Sequence, residues 1–402
     1  MKKLLLFGAG KIGRSFISPI FYQSGYQVVF ADIDQKLVDL LNEASSYNVT
    51  IRDSNHPERE QVITVENVTA VHLSDTESIK KHIIESDMIA TSVGKRGLLS
   101  LPELMADGVR ERYRVRKEQP MDIILAENIR NAAALFRERI KSLVPEVPVE
   151  EYLGLIETSI GKMVPIMTKA QLQEDPLSVI AEPYNHLIVD KQGFKNGVPD
   201  VPGLDAKMNM KAWVDRKIFI HNMGHATLAY QINFSHPELK YTWEALEIKE
   251  IKEITRDTMM QSAEILADKY PEVFTLNQLE EHTEDLLDRF SNRTLGDTIF
   301  RVGCDLSRKL NADDRLMIPI LTGIKAGKEY SLILQAWVKG CSFSATDENG
   351  ALHPEDQKFK TKYTENPLLI LSDHCKFDRE DHSLLYEKVQ EIITAVKFGR
   401  KF

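Results

Sequence analysis

The 402 residues, 43 % hydrophobic and 28 % charged, suffice for about two to three domains with a sizeable core and show no compositional sign of extensive disorder. A formal net charge of −9 argues against a nucleic-acid partner. Cys304, Cys341 and Cys375 form no C-x-x-C pair, so neither a disulfide framework nor a cysteine zinc site is indicated, and a reducing, cytoplasmic compartment fits. No apolar stretch approaches the roughly 18 to 20 residues that cross a bilayer, so no membrane partner is expected.

The opening "MKKLLLFGAG" has the lysines and apolar start of a signal peptide, but the run is too short and reads as a first strand. An amphipathic stretch from Lys11 to about Ser24 and the run "YQVVFAD" complete a βαβ unit. "SDMIATSVG" and "MDIILAEN" read as buried strands, each followed by a helical pattern, and "EYLGLIETSI" and "LSVIAEP" are expected to extend the same sheet. The glycine- and proline-rich "KQGFKNGVPDVPGL" breaks the pattern. The chain is therefore expected to place a Rossmann-like, doubly wound α/β domain at 1–195 and a mostly α-helical substrate domain at 196–402. In the second domain, "YTWEALEIKEIKEITRDTMMQSAEILADKY" and "HSLLYEKVQEIITAVKF" repeat apolar residues at three and four positions.

Gly8, Gly10 and Gly13 stand in G-x-G-x-x-G spacing directly after the first strand, around Lys11 and Ile12. The first glycine permits the turn, the second lets a pyrophosphate approach and the third lets helix and strand pack closely. Asp32 ends the second strand 19 positions after Gly13, where a carboxylate can accept from adenosine ribose hydroxyls and repel a 2′-phosphate. NAD(H) is the expected cofactor, with Arg14 and Lys36 read as solvated surface charges.

"KIFIHNMGHATLAY", residues 217–230, puts polar groups into an otherwise apolar run. On an α-helix turning about 100° per residue, His225 and Asn222 fall at about 80° and 140° from Lys217, so one side can present all three to a cleft. His221 lies in the same arc, and His221 with His225 could ligate zinc, although Lys217 beside them disfavours a cation. The bland alternative is a snorkelling lysine above core histidines. A lysine can act as a base here only if desolvation or nearby positive charge lowers its pKa.

These residues, with "FGAGKIGR", "FADID", "AEN" at 126–128, "IVDKQGFKNGVPDVPG", "DRKIFIHNMGHA" and "LNADDRLMIPILTG", resemble the polyol-specific long-chain dehydrogenase/reductase family over most of the chain. The resemblance implies an NAD-dependent, metal-independent oxidoreductase. Lys217 is its general acid/base, Asn222 and Asn128 donate to the substrate oxygen, and His225 binds substrate or orients the lysine. Asn128 also follows "MDIILA", where ligands of open α/β sheets bind; capping the next helix is its alternative role. The implied reaction interconverts a polyol phosphate and a ketose phosphate, mannitol 1-phosphate and fructose 6-phosphate, in a monomer or weak homo-oligomer. An unphosphorylated polyol or a sugar acid, such as mannitol or altronate, is the alternative substrate. Arg301, Arg308, Lys309 and Arg315 are phosphate candidates by composition and neighbourhood alone. One departure stands out: "GKMVP" puts Gly161 and Lys162 where the family commonly carries an aspartate and arginine. The lysine's tuning must then come from another group or be weaker, and a nucleotide-sensing protein that binds NAD(H) without catalysis is a further alternative.

Overall fold

The computed structural model describes residues 1–165 and 167–397, and the chain divides into two compact units, Met1–Val214 and Asp215–Phe402.

The first unit contains eleven strands among its described residues: β1 Lys2–Phe7, β2 Tyr26–Asp32, β3 Ser46–Ile51, β4 Gln61–Glu66, β5 Thr69–His72, β6 Met88–Thr91, β7 Met121–Leu125, β8 Leu153–Ile160, β9 Val179–Ala181, β10 Leu187–Asp190 and β11 Leu204–Lys207. Eight form one sheet in the order β11-β10-β8-β7-β6-β1-β2-β5. Its pairs are parallel except β8 with β10, as expected of a doubly wound sheet. Period-2 alternation divides β1 between two cores. Leu4 and Leu6 pack with Phe16, Phe21 and Phe30 on one face; Leu5 and Phe7 pack with Leu98, Met105 and Ile123 on the other. All four β1 side chains are fully buried, which explains why this central strand is an unbroken apolar run. Each contributes on the order of 1.5 to 3 kcal/mol.

Two features differ from the sequence reading. "LSVIAEP" does not extend the main sheet: β9 pairs with β3, and β3 with β4, in a separate three-stranded sheet. Val179 and Ala181 bury their side chains in the core beneath that hairpin, which the sequence reading did not anticipate. The main sheet also takes in β11, beyond the break expected after residue 195, and the first compact unit runs to Val214.

The second unit is helical. At its centre, Met223–Ser235 is buried on nearly every side, from Met223 and Gly224 through Leu228 to Ile232. Helices Lys249–Lys269, Ile299–Gly303 and Ser331–Gly340 surround it. Gly224 is required by this packing, since a Cβ there would lie 2.5 Å from the Met259 sulfur. No described helix is long and apolar enough to cross a membrane.

Candidate active site

The glycine loop follows β1. Gly8 adopts φ +97°, and a Cβ on it would lie 2.4 Å from the Ser92 carbonyl oxygen. A Cβ on Gly13 would lie 2.1 Å from the Gly8 oxygen, so helix and loop touch backbone to backbone. Gly10, in contrast, is exposed with open space where its Cβ would be. A loop closed by two glycines and open at the third fits a pyrophosphate. Lys11 is exposed and donates to the Pro165 carbonyl at 3.3 Å, while Ile12 packs on the core. Asp32 ties the loop to β2: Oδ2 accepts from the Ala9 N–H at 2.6 Å and Oδ1 from the Asp34 N–H at 2.9 Å. Each oxygen keeps a further lone pair for a ribose hydroxyl.

Arg14 corrects the expectation of a solvated charge. It is 7 % exposed, its Nε donates to the Ala9 carbonyl at 2.8 Å and its Nη1 to the Leu177 carbonyl at 2.5 Å. The guanidinium finds its donors' partners in the fold itself and so braces the loop from below; Lys36 is exposed as expected.

Asn128 is exposed in the turn after β7. It is not the cap of the next helix, which begins at Ala132 after Asn131, while the Ala133 N–H donates to Glu157 at 3.0 Å. Beside it, Glu127 was missed by sequence reasoning although "AEN" contains it. Its buried carboxylate accepts from the Val93 and Gly94 N–H groups at 2.7 and 2.8 Å and fixes the turn that supplies Ser92 to the glycine loop. Burial raises its pKa above the usual carboxylate value, opposed by those bonds.

In the second unit Lys217, Asn222 and His225 occupy one helical segment, but not the ideal α-helix assumed from sequence. Lys217–Asn222 is a π-helix that passes into the α-helix Met223–Ser235. A π-turn bonds residues five apart and winds more slowly than an α-helix, so Lys217 and Asn222 stand nearer one side of the axis than the about 140° of α pitch. Lys217 is half-buried, and burial together with the Arg315 charge lowers its pKa to about 8. The tuning that Gly161 cannot supply therefore has a source in this unit. Near Gly161 itself, Lys162 is buried with Nζ 5.2 Å from the Phe16 ring, and the buried Glu182 accepts from the Met163 N–H at 2.5 Å.

His225 stacks on Phe290 at 4.3 Å and 6°, with Nε2 3.5 Å from Oδ2 of the buried Asp297. Neither atom makes a hydrogen bond. Burial and the charges of Arg301, Lys309, Arg315 and Arg289 push the imidazole well below its ordinary pKa. Asp297 acts in the opposite sense, but it is already paired with Arg301. The ring is therefore neutral near pH 7 and can accept or donate one hydrogen bond. His221 is buried edge-on to Phe290 at 5.6 Å and is also kept neutral, first by burial and then by Arg289. Among the described residues, no group of three or more His, Cys, Asp or Glu is placed to hold a metal ion.

Of the phosphate candidates, Arg301, Lys309 and Arg315 each act electrostatically on His225. Arg315 pairs with Asp314 at 2.7 Å. Arg308 is exposed and engaged by Asp305 and Asp314 at 2.6 and 3.4 Å. Lys309 is 5 % exposed and donates to the Val302 carbonyl at 2.7 Å; burial, then Arg315, lowers its pKa to about 7. Asp297 and Phe290 escaped sequence reasoning because they lie some seventy residues from His225 in an unremarkable segment.

Residues 2–203 match the mannitol dehydrogenase Rossmann domain, and residues 209–392 match the mannitol dehydrogenase C-terminal domain. The chain belongs to the mannitol dehydrogenase family. As a member it is an NAD-dependent polyol dehydrogenase, and its Rossmann domain carries the glycine loop and Asp32 described above. The fold is shared with a solved D-sorbitol dehydrogenase in substrate-free form: TM-score 0.80, 17 % identity, covering 98 % of this chain and 93 % of the other. It is also shared with the mannitol 2-dehydrogenase of Pseudomonas fluorescens, solved as a ternary complex with NAD and D-mannitol. There the TM-score is 0.69 and identity 13 %, covering 98 % of this chain and 92 % of that one.

Proposed function

We propose that this family member interconverts a polyol phosphate and a ketose phosphate with NAD(H), its pair being mannitol 1-phosphate and fructose 6-phosphate, the reaction of a mannitol-1-phosphate 5-dehydrogenase. The observation that carries the phosphate is Lys309, a buried cation bonded to the Val302 carbonyl, whose charge acts on His225 together with those of Arg301 and Arg315. A phosphate dianion would supply the charge that keeps such an ammonium protonated.

In this reading NAD, held by the glycine loop and Asp32, would supply the hydride acceptor for the carbinol and, reduced, the donor for the ketose. Lys217, in its neutral form, takes the alcohol proton during oxidation and, as ammonium, returns it during reduction. Asn222 and Asn128 donate their amide N–H groups to the substrate oxygen as charge develops there. His225, held by Phe290 and beside Asp297, supplies one oriented hydrogen bond to the substrate.

A second reading, an unphosphorylated polyol, draws on the neighbouring structures, named as a D-sorbitol dehydrogenase and a mannitol 2-dehydrogenase. NADH oxidation with fructose 6-phosphate, fructose and tagaturonate separates the two, with metal content measured on the same sample. Fructose 6-phosphate is expected to be reduced fastest, and Lys309→Met to raise its KM about tenfold or more, the scale of one charge-assisted contact. Fructose reduced as efficiently as its phosphate, or an indifferent Lys309→Met, favours the second reading.

The cofactor preference has its own test. NADH should be used much better than NADPH, because the Asp32 carboxylate repels a 2′-phosphate. Asp32→Ala should narrow the gap, chiefly by weakening NADH, since the Ala9 anchor is lost as well. Equal use of both cofactors by the unmodified enzyme counts against this assignment.

A further inference from the structure

Two helical segments that carry proposed site residues each contain a π-turn, Gly13–Ile17 after the glycine loop and Lys217–Asn222 after the α-helix Met210–Arg216. In Lys217–Asn222 the Met223 N–H, which in an α-helix would bond the Phe219 carbonyl, is shared between the Ile218 and Ile220 carbonyls instead. The Phe219 carbonyl is taken by the Ser262 hydroxyl at 2.7 Å, from the fully buried face of helix Lys249–Lys269. In Gly13–Ile17 the Ser18 N–H likewise passes over Arg14 to bond the Gly13 carbonyl. The Arg14 carbonyl is taken by the Tyr47 hydroxyl of β3 at 2.9 Å. In each turn, a carbonyl that the backbone ladder deserts is met by a buried hydroxyl from another element, as complete hydrogen bonding requires.

Helix Lys249–Lys269 holds the catalytic segment in two further places. Asp215, just before the turn, accepts from Lys269 and Tyr270, each at 2.7 Å, and Gly224, just after it, lies against Met259. Between these fixed ends the segment can run in the π register or, by bonding Met223 to Phe219, in the α register. The registers differ in where Lys217 stands relative to Asn222.

We propose that Ser262 is a positioning residue that selects the π register of the Lys217–Asn222 turn and so keeps Lys217 and Asn222 in line, and that Tyr47 does the same for the turn beneath the glycine loop. This rests on the reading of Lys217 and Asn222 as the reacting pair. Removing either hydroxyl leaves the deserted carbonyl with its α-type backbone donor as the nearest replacement, which returns the turn to the α register.

The test compares Ser262→Ala, Ser262→Thr, Tyr47→Phe and Lys217→Ala for thermal stability, NADH binding and turnover. Ser262→Ala should bind NADH as the parent does while kcat falls about tenfold to a hundredfold, the scale of a displaced catalytic group. Ser262→Thr, which keeps a hydroxyl, should recover most of the loss. Tyr47→Phe should show the opposite split, with weaker NADH binding and kcat retained at saturating NADH. Should Ser262→Ala fail to fold, the near-isosteric Ser262→Cys, a weaker donor, should have an intermediate kcat. Parental kcat in the alanine variant, or in the cysteine variant where alanine does not fold, overturns the inference if Lys217→Ala is inactive. So does a fall in kcat matched by equal losses of NADH binding and stability. An active Lys217→Ala instead overturns the reading of the reacting pair.

Discussion

Lys217→Ala is expected to lower turnover about a hundredfold or more in both reaction directions, the lower scale of general acid–base catalysis, while NADH binding is retained. The ammonium is desolvated and feels the charge of Arg315, and the segment that carries it is held by bonds of other residues, Ser262 to Phe219 and Lys269 to Asp215. Taking a cation out of that site also relieves a desolvation cost, so the melting temperature should stay level or rise. Turnover by purified Lys217→Ala, with a melting curve and an NADH titration on the same sample, checks this. Near-parental turnover would reduce Lys217 to a snorkelling side chain. Chelators should leave the parent active; full loss restored by zinc would instead revive the His221 and His225 metal site.

The second large effect belongs to the two asparagines. Losing one donor to an oxygen that gains charge costs on the order of 3 kcal/mol of transition-state stabilisation, more than a hundredfold in rate. Asn222→Ala and Asn128→Ala should each approach that loss. If both amides serve the same oxygen, the double variant will be less impaired than the product of the single effects. Asn128→Ala should leave the next helix capped, because that helix begins at Ala132 and takes a side-chain bond from Glu157. Multiplicative effects would separate the amides onto different atoms. A loss of stability without loss of turnover would make Asn128 structural.

Much of this was legible in the sequence where local patterns decide the outcome. The continuous apolar run of β1 required burial on both faces, and Gly8 and Gly13 required a loop that only glycines can close. Lys217, Asn222 and His225 were legible as a group because they lie within nine positions. What the sequence concealed depends on partners far along the chain. The π-turn is chosen by Ser262, 43 positions from Phe219, so a helical wheel drawn at α pitch misplaces Asn222. Arg14 reads as surface until the Leu177 carbonyl, 163 positions away, meets it. "LSVIAEP" has the apolar content of a main-sheet strand, and only the β3 hairpin, itself unrecognised, draws it into a second sheet. The phosphate candidates could be grouped only by composition; in the fold the charges of Arg301, Lys309 and Arg315 act on His225, while Arg308 is exposed and paired with two aspartates.

The proposed lysine chemistry is tested most directly by the pH dependence of kcat/KM in both directions, with Lys217→Ala measured beside the parent. A lysine lowered to about 8 is a neutral base above that pH and an ammonium acid below it. Polyol oxidation by the parent should therefore rise with pH through about 8 and level off, ketose reduction should decline through the same pH, and the variant should lose both limbs. Limbs that persist in Lys217→Ala, or parental profiles that run in the same sense in both directions, would contradict the assignment of the proton to Lys217.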